Sequence, residues 1–268
     1  MPNANRRAQD AVPGAEHGLI PPPLRFERLA LFLDMDGVLA PLAETPDAVG
    51  PMARRTAVLL LLNRRLGGRL AIISGRTLSE IDRISDAGTL AASGVHGLER
   101  RRSDGSCLNT PAAPGVRAAT DAFLAFQADN PGVVVEEKGV SVGLHYRASP
   151  QAAEAALDLA RSVAARTGLS VQPGVLVVEL KTPGTDKGSA LSAFMDEYPF
   201  RGAMPVMLGD DLTDEDAFRA ATAHGGFGVL VGPDRQTLAR YRLDDVDAVL
   251  DWLEAVSRAC RLQGEAAA

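Results

Sequence analysis

Three short apolar runs punctuate the chain, and each ends in polar residues. They are Leu29-Ala30-Leu31-Phe32-Leu33 before Asp34, Leu70-Ala71-Ile72-Ile73 before Ser74, and Met204-Pro205-Val206-Met207-Leu208 before Gly209-Asp210-Asp211. Continuous apolar runs of this length, bounded by turn residues, fit strands buried on both faces, as in a parallel sheet. Residues 52–66 carry the apolar stretch Ala57-Val58-Leu59-Leu60-Leu61-Leu62 and close on Gly67-Gly68, which predicts a helix with a glycine cap. Leu78, Ile81 and Ile84 share one face of a second helix, with Gly88 beyond its end. A helix starts near Lys187, and Thr213 followed by Asp216 resembles a capping box for the next one. Residues 226–231 read as another strand and about 246–261 as a last helix. Strands and helices in this alternation predict an α/β fold, a doubly wound parallel Rossmann-like sheet with helices on both faces.

The middle of the chain has a different rhythm. From about Pro111 to Thr182 the pattern predicts helices at roughly 115–128 and 150–167. Strands are predicted near 132–137, 140–147, 169–173 and 175–180. Val140-Ser141-Val142-Gly143-Leu144-His145-Tyr146 alternates, as a sheet with one exposed face requires. The expected organisation is therefore a core of residues 25–110 and 183–262, with a small α+β unit, 111–182, inserted into it. Residues 1–24, rich in Ala, Pro and Gly, are expected to form a flexible leader.

Composition narrows the function. A net charge of -6 over 268 residues is a poor basis for sequence-independent nucleic-acid binding, which needs a positive patch. No apolar run approaches the roughly 18 residues of a membrane span, and Arg6-Arg7 has no apolar stretch behind it, so neither a membrane segment nor a signal peptide is expected. Cys107 and Cys260 stand far apart in no metal-ligand spacing, so reduced thiols in a cytoplasmic protein are expected.

In open α/β sheets ligands bind at the carboxyl ends of the strands. Asp34/Asp36, Ser74 and Asp210/Asp211 should therefore converge on one crevice. Carboxylates crowded there repel one another unless a cation joins them, and an all-oxygen set suits magnesium. Such a site fits phosphoryl transfer. One carboxylate can act as nucleophile through an aspartyl-phosphate, and a second can protonate the leaving oxygen and then activate water. Gly37 permits a tight turn that aims backbone amides at the phosphate, and Lys187 and Ser74 would complete the cradle. Each residue alone has a structural reading, as a helix cap, a turn or a solvated first-turn side chain. Their common placement after buried strands or at helix starts favours the chemical one.

These motifs resemble those of the haloacid dehalogenase-like hydrolases. Asp34-Met35-Asp36-Gly37-Val38 is similar to the first motif, Ser74 to the second, Lys187 to the third, and Gly209-Asp210-Asp211 with Asp214 to the fourth. Val38 stands where many members carry Thr. The resemblance, over about residues 28–255, implies that Asp34 is the nucleophile and Asp36 the general acid/base. It implies magnesium on Asp34, the Asp36 carbonyl and Asp210, with Asp211 and Asp214 holding its waters or orienting Lys187. The insertion resembles the superfamily's type-two cap. Finer features are similar to the trehalose-6-phosphate phosphatases. These are Ile72-Ile73-Ser74-Gly75-Arg76, Gly94-Val95-His96-Gly97-Leu98-Glu99, Glu136-Glu137-Lys138, His145-Tyr146-Arg147 and Val178-Glu179-Leu180-Lys181. The family resemblance implies that Glu136, Lys138, Arg147 and Glu179 clasp the sugar, with Gly37, Gly75, Arg76, His96 and His145 nearby. It implies a monomeric enzyme acting on a sugar phosphate, with a trehalose-phosphate synthase as a candidate partner. A sucrose-phosphate or mannosylglycerate-phosphate phosphatase stays open as an alternative, and so does a non-catalytic phosphosugar-binding module. A phosphotransfer receiver domain also uses an acidic cluster and a Lys, but is about half this long and lacks an inserted cap.

Overall fold

The computed structural model describes residues 19–43 and 48–265. The chain begins its sheet with β1 (Leu29–Leu33) and continues through α1 (Ala53–Arg65), β2 (Leu70–Ile73), α2 (Leu78–Ser85) and β3 (Ala91–Gly94). β4 (Glu99–Arg101) and β5 (Cys107–Asn109) extend this sheet with antiparallel pairing. The inserted unit follows as α3 (Gly115–Asp129), β6 (Val134–Glu137), β7 (Ser141–His145), α4 (Ala153–Thr167), β8 (Ser170–Gly174) and β9 (Val177–Lys181). α5 (Lys187–Met195), β10 (Met204–Gly209), α6 (Glu215–Ala223), β11 (Phe227–Val231), β12 (Tyr241–Leu243) and α7 (Val246–Glu265) complete the core.

The core sheet has the order β12-β11-β10-β1-β2-β3-β4-β5, parallel from β12 to β3. Its strands are buried on both sides because successive residues serve different layers. Leu29, Leu31 and Leu33 of β1 join α1 and α7, while Ala30 and Phe32 join α5 and α6. The doubly wound expectation is met. The cap has its own sheet, β6-β7-β9-β8, entirely antiparallel. Val142, Leu144, Val178 and Leu180 pack beneath α3 and α4 as a separate apolar core. The other face of that sheet is polar and looks toward the carboxyl ends of the core strands.

Several elements differ from the sequence reading. Residues 1–18 of the expected leader lie outside the described residues, but the rest of it, 19–24, is not free of the core. The indole nitrogen of Trp252 on α7 donates to the Pro22 and Pro23 carbonyls, and Arg242 N donates to Ile20 O beside β12. β3 is built of Ala-Ala-Ser-Gly, which lacks the branched residues that mark a strand. Small residues are needed there, since a Cβ on Gly94 would lie 2.7 Å from the Arg76 carbonyl oxygen. α2 ends at Asp86 in a left-handed conformation, ahead of Gly88. The capping box before α6 is made by Asp211 and Asp214, not by Thr213 and Asp216. Both cysteines are free, as expected. Among the described residues no helix is long and apolar enough to cross a membrane.

Candidate active site

β1 and β10 are neighbours at the point where the strand order turns back, so a crevice opens outside their carboxyl ends. Asp34 leaves β1 there with its amide still donating to Leu208 O (3.0 Å), and Asp210 follows β10 directly. Lys187, the first residue of α5, reaches between them from a helix start capped by Asp186. Its ammonium donates to Asp34 Oδ2 and to Asp214 Oδ1, both at 2.7 Å, and all three side chains are buried. The other Asp214 oxygen accepts the amides of Asp210 and Asp211, each at 3.0 Å. Asp214 thus shapes the acidic loop and anchors the lysine at once.

The electrostatics follow from this crowding. Burial alone would push the Lys187 ammonium down, but Asp214 and Asp34 outweigh it and hold the group well above the usual lysine range. Burial pushes Asp34 up, and repulsion from Asp214 and Asp210 adds to this against the pull of Lys187. Asp210 is pushed up to about 7 by burial and then by the charge of Asp214. One lysine is therefore too little positive charge for three carboxylates. Ligand atoms of Asp34, Asp210 and Asp214 come within 4.8 Å of one another. An all-oxygen donor set with excess negative charge fits a hard divalent cation. Asp211 is not among these acids. Its carboxylate accepts from Leu212 N and caps the turn before α6.

Gly37 makes the tight turn that was expected. Its amide donates to Ala40 O at 2.8 Å and so does not aim at the crevice. Its φ is +71°, and a Cβ would lie 2.1 Å from Asp210 Oδ2. The glycine also makes room for the Asp210 carboxylate. Asp36 turns to Arg76, which donates to both of its oxygens at 2.7 and 2.8 Å and reaches Glu80 at 3.3 Å. Arg76, expected on the substrate, here holds a proposed catalytic acid. Ser74 is buried at the end of β2 and lines the crevice. Its carbonyl accepts His96 N at 3.0 Å. Val95 and His96 both adopt left-handed backbone, φ 46° and 52°, a costly geometry for a branched residue. The turn delivers the imidazole to within 2.7 Å of where a Cβ on Gly75 would be.

The cap closes the other side of the cleft. Lys138 Nζ donates to Gly75 O (3.0 Å) and Glu179 Oε2 (3.2 Å), and lies 3.4 Å from Glu136 Oε2. His145 Nε2 meets the same Glu136 oxygen at 2.8 Å. Burial would push both glutamates up. For Glu136 the His145 contact and Lys138 prevail and hold it near about 2, and for Glu179 Lys138 prevails. Glu179 Oε1 is buried with no hydrogen-bond partner. Arg147 lines the cleft and donates to Val175 O at 3.4 Å. The expected groups therefore share one cleft with Asp34, Asp36, Ser74, Lys187 and Asp210.

Other contributors escaped the sequence reading. Gln172, Val175 and Val177 of the β8–β9 hairpin line the cleft, as do Leu42 and Ala43 of the loop after β1. Arg55 on α1 fastens that loop by donating to the Leu39, Gly50 and Ile84 carbonyls. Arg235 lies behind the acidic loop. It donates to Asp211 O (2.9 Å) and Asp210 O (3.3 Å) and pairs with Glu215. Only the Gly232-Pro233 turn nearby hints at a loop there, and nothing in the local sequence points Arg235 at the acids.

A family model described as trehalose-phosphatase matches residues 32–247. The chain is 38% identical over 241 residues to the trehalose-6-phosphate phosphatase of Escherichia coli, covering 89% of this chain and 90% of that one. Among solved structures, it resembles a C. albicans trehalose-6-phosphate phosphatase C-terminal domain. That likeness has a TM-score of 0.77 and 24% identity over 87% of this chain and 92% of the other. A phosphatase of the haloalkanoate (HAD) enzyme superfamily from Bacteroides thetaiotaomicron matches with a TM-score of 0.60. It is 21% identical over 94% of this chain and 99% of the other. The two structural likenesses establish the fold.

Proposed function

The chain belongs to the trehalose-phosphatase family, and from that premise we propose that it hydrolyses trehalose 6-phosphate to trehalose and inorganic phosphate. The observation that carries the reading is the shared cleft. Its core wall presents Asp34 and Lys187, with Asp214 buried behind the lysine, and its cap wall presents Glu136, Lys138 and Glu179. A phosphoryl group suits the first wall and sugar hydroxyls suit the second, where carboxylates and an ammonium stand together.

In the proposed reaction an Asp34 carboxylate oxygen attacks phosphorus, the bond to the sugar oxygen breaks, and an aspartyl-phosphate forms. Asp36 gives its proton to the departing trehalose oxygen, which requires it to swing away from Arg76. It then takes a proton from water as the water attacks phosphorus, releasing phosphate and restoring Asp34. Lys187 holds Asp34 in line and balances charge on the phosphoryl oxygens. Magnesium is assigned to Asp34, Asp210 and the Asp36 carbonyl, where it would neutralise phosphoryl charge. Asp214 orients Lys187, and Ser74 completes the oxygen cradle. Glu136, Lys138, Glu179 and Arg147 bind the sugar, with His145 holding Glu136 and His96 lying beside Glu179. Lys138 on the Gly75 carbonyl ties sugar binding to the loop beside Ser74. The reading extends to a monomer in the cytoplasm that takes its substrate from a trehalose-phosphate synthase.

The test is incubation with trehalose 6-phosphate and magnesium, measuring phosphate and free trehalose together. Equimolar appearance of both, stopped by a chelator and restored by magnesium, is expected. Phosphate without trehalose, or neither, would refute the assignment.

A further inference from the structure

The register of the cap sheet arranges its polar face in transverse rows. Glu136 on β6 pairs with Gly143 on β7, Gly143 with Glu179 on β9, and Glu179 with Gln172 on β8. Residues directly opposed across strands point to the same face. The row Glu136–Gly143–Glu179–Gln172 therefore faces the cleft, while Val135, Leu144 and Val178 of the next row face the cap helices. Glu136, Glu179 and Gln172 do line the cleft. Gly143 leaves the floor between the two glutamates open. A methyl there would sit 3.4 Å from His145 Nε2 and 3.5 Å from Glu136 Oε2.

Two members of the row have partners, since Glu136 meets His145 and Glu179 accepts from Lys138. Gln172 is half-buried, and its amide makes no hydrogen bond among the described residues. At a strand spacing of about 4.8 Å the row spans roughly 14 Å, more than one sugar ring. Its inner part is fixed to the core, because Lys138, which holds Glu179, also bonds Gly75 O. The ring that carries the phosphate must lie there, beside Asp34. Gln172 stands on the edge strand one position farther out, next to the exposed turn at Val175. A primary amide offers two donors and an acceptor. It can bind a pair of sugar hydroxyls without adding a third carboxylate to the row.

We propose that Gln172 is a specificity-determining residue that hydrogen-bonds the ring not bearing the phosphate, and so selects a disaccharide phosphate over a monosaccharide phosphate. This rests on the trehalose 6-phosphate reading.

The test compares kcat/KM for trehalose 6-phosphate and glucose 6-phosphate in the natural chain, in Gln172→Ala and in the near-isosteric Gln172→Glu. Losing one or two neutral hydrogen bonds should lower the disaccharide-to-monosaccharide ratio by about fivefold to thirtyfold in Gln172→Ala. Gln172→Glu keeps the shape, loses the donors and should lower the ratio too. It also supplies the reading should Gln172→Ala fail to fold. A ratio that stays at the natural value in the folded variants, or parallel loss on both substrates, overturns the proposal. If the natural chain releases no phosphate from trehalose 6-phosphate, the function itself falls. If it prefers that substrate and the variants keep the preference, only the role of Gln172 falls.

Discussion

Asp34 is a buried acid whose lysine partner is shared with Asp214, and this sharing decides how substitutions should behave. Asp34→Asn removes the proposed nucleophile and should abolish turnover while leaving the fold intact. Asp36→Asn should lower kcat by about 10²–10⁴, the usual worth of a positioned acid/base, in steady-state assays. His96 gives a prediction of a different kind. Burial lowers its pKa to about 3 from 6.5, with nearby Lys187, Lys181 and Lys138 adding to the effect and Glu179 opposing it. The unfolded chain therefore takes up a proton below 6.5 that the folded chain refuses until about 3. The associated stability is fully present above the upper value and is lost as pH falls toward the lower one. Its slope is about 1.4 kcal/mol per pH unit in that window. Urea unfolding at several pH values should show this slope in the natural chain, and His96→Gln should remove it. Asp34, Lys187 and Asp210 were legible in the sequence because each follows a buried strand or starts a helix. The room that Gly37 leaves for Asp210 was not, because the two are distant in sequence and only the fold brings the carboxylate against the glycine.

At the scale of elements, α5 and α6 must pack closely for Lys187 to reach Asp214. Gly188 permits this, since a Cβ there would lie 2.5 Å from the Asp216 carbonyl oxygen. Gly188→Ala should cost about 1–3 kcal/mol of stability by forcing the helices apart, measurable by denaturant unfolding. Kcat should fall with it, as Lys187 is the adjacent residue. The acidic loop after β10 has its own support in Arg235, which holds two loop carbonyls and Glu215. Arg235→Ala should weaken magnesium binding severalfold in calorimetric titration, more than Arg235→Lys. Equal affinity in all three proteins would make the contact structural only. β1, β2 and β10 were readable because they are continuous apolar runs, and the cap strands because they alternate. β3, β4, β5 and β12 were not, because β3 is built of small residues and the other three are only three residues long, so pairing with neighbours, rather than their own pattern, makes them strands.

The whole molecule divides its task between two cores. The parallel sheet supplies a phosphoryl site with an excess of negative charge, and the cap supplies a polar sheet face over it. The change in hydrophobic rhythm between Pro111 and Thr182 marked the segment that carries the separate second sheet. Its register did not, and register is what sets Gln172 beside Glu179. The two halves meet through Lys138 on Gly75 O, so a sugar bound in the cap as proposed would be felt beside Ser74. That arrangement has meaning only if a phosphoryl group passes to Asp34 from the sugar held above it. Rapid acid quench of the first turnover with trehalose 6-phosphate labelled in its phosphate measures this directly. Hydroxylamine-labile label on the peptide containing Asp34, absent in Asp34→Asn, is the predicted result. Release of phosphate at full rate with no label on the protein, or label on another residue, would contradict it.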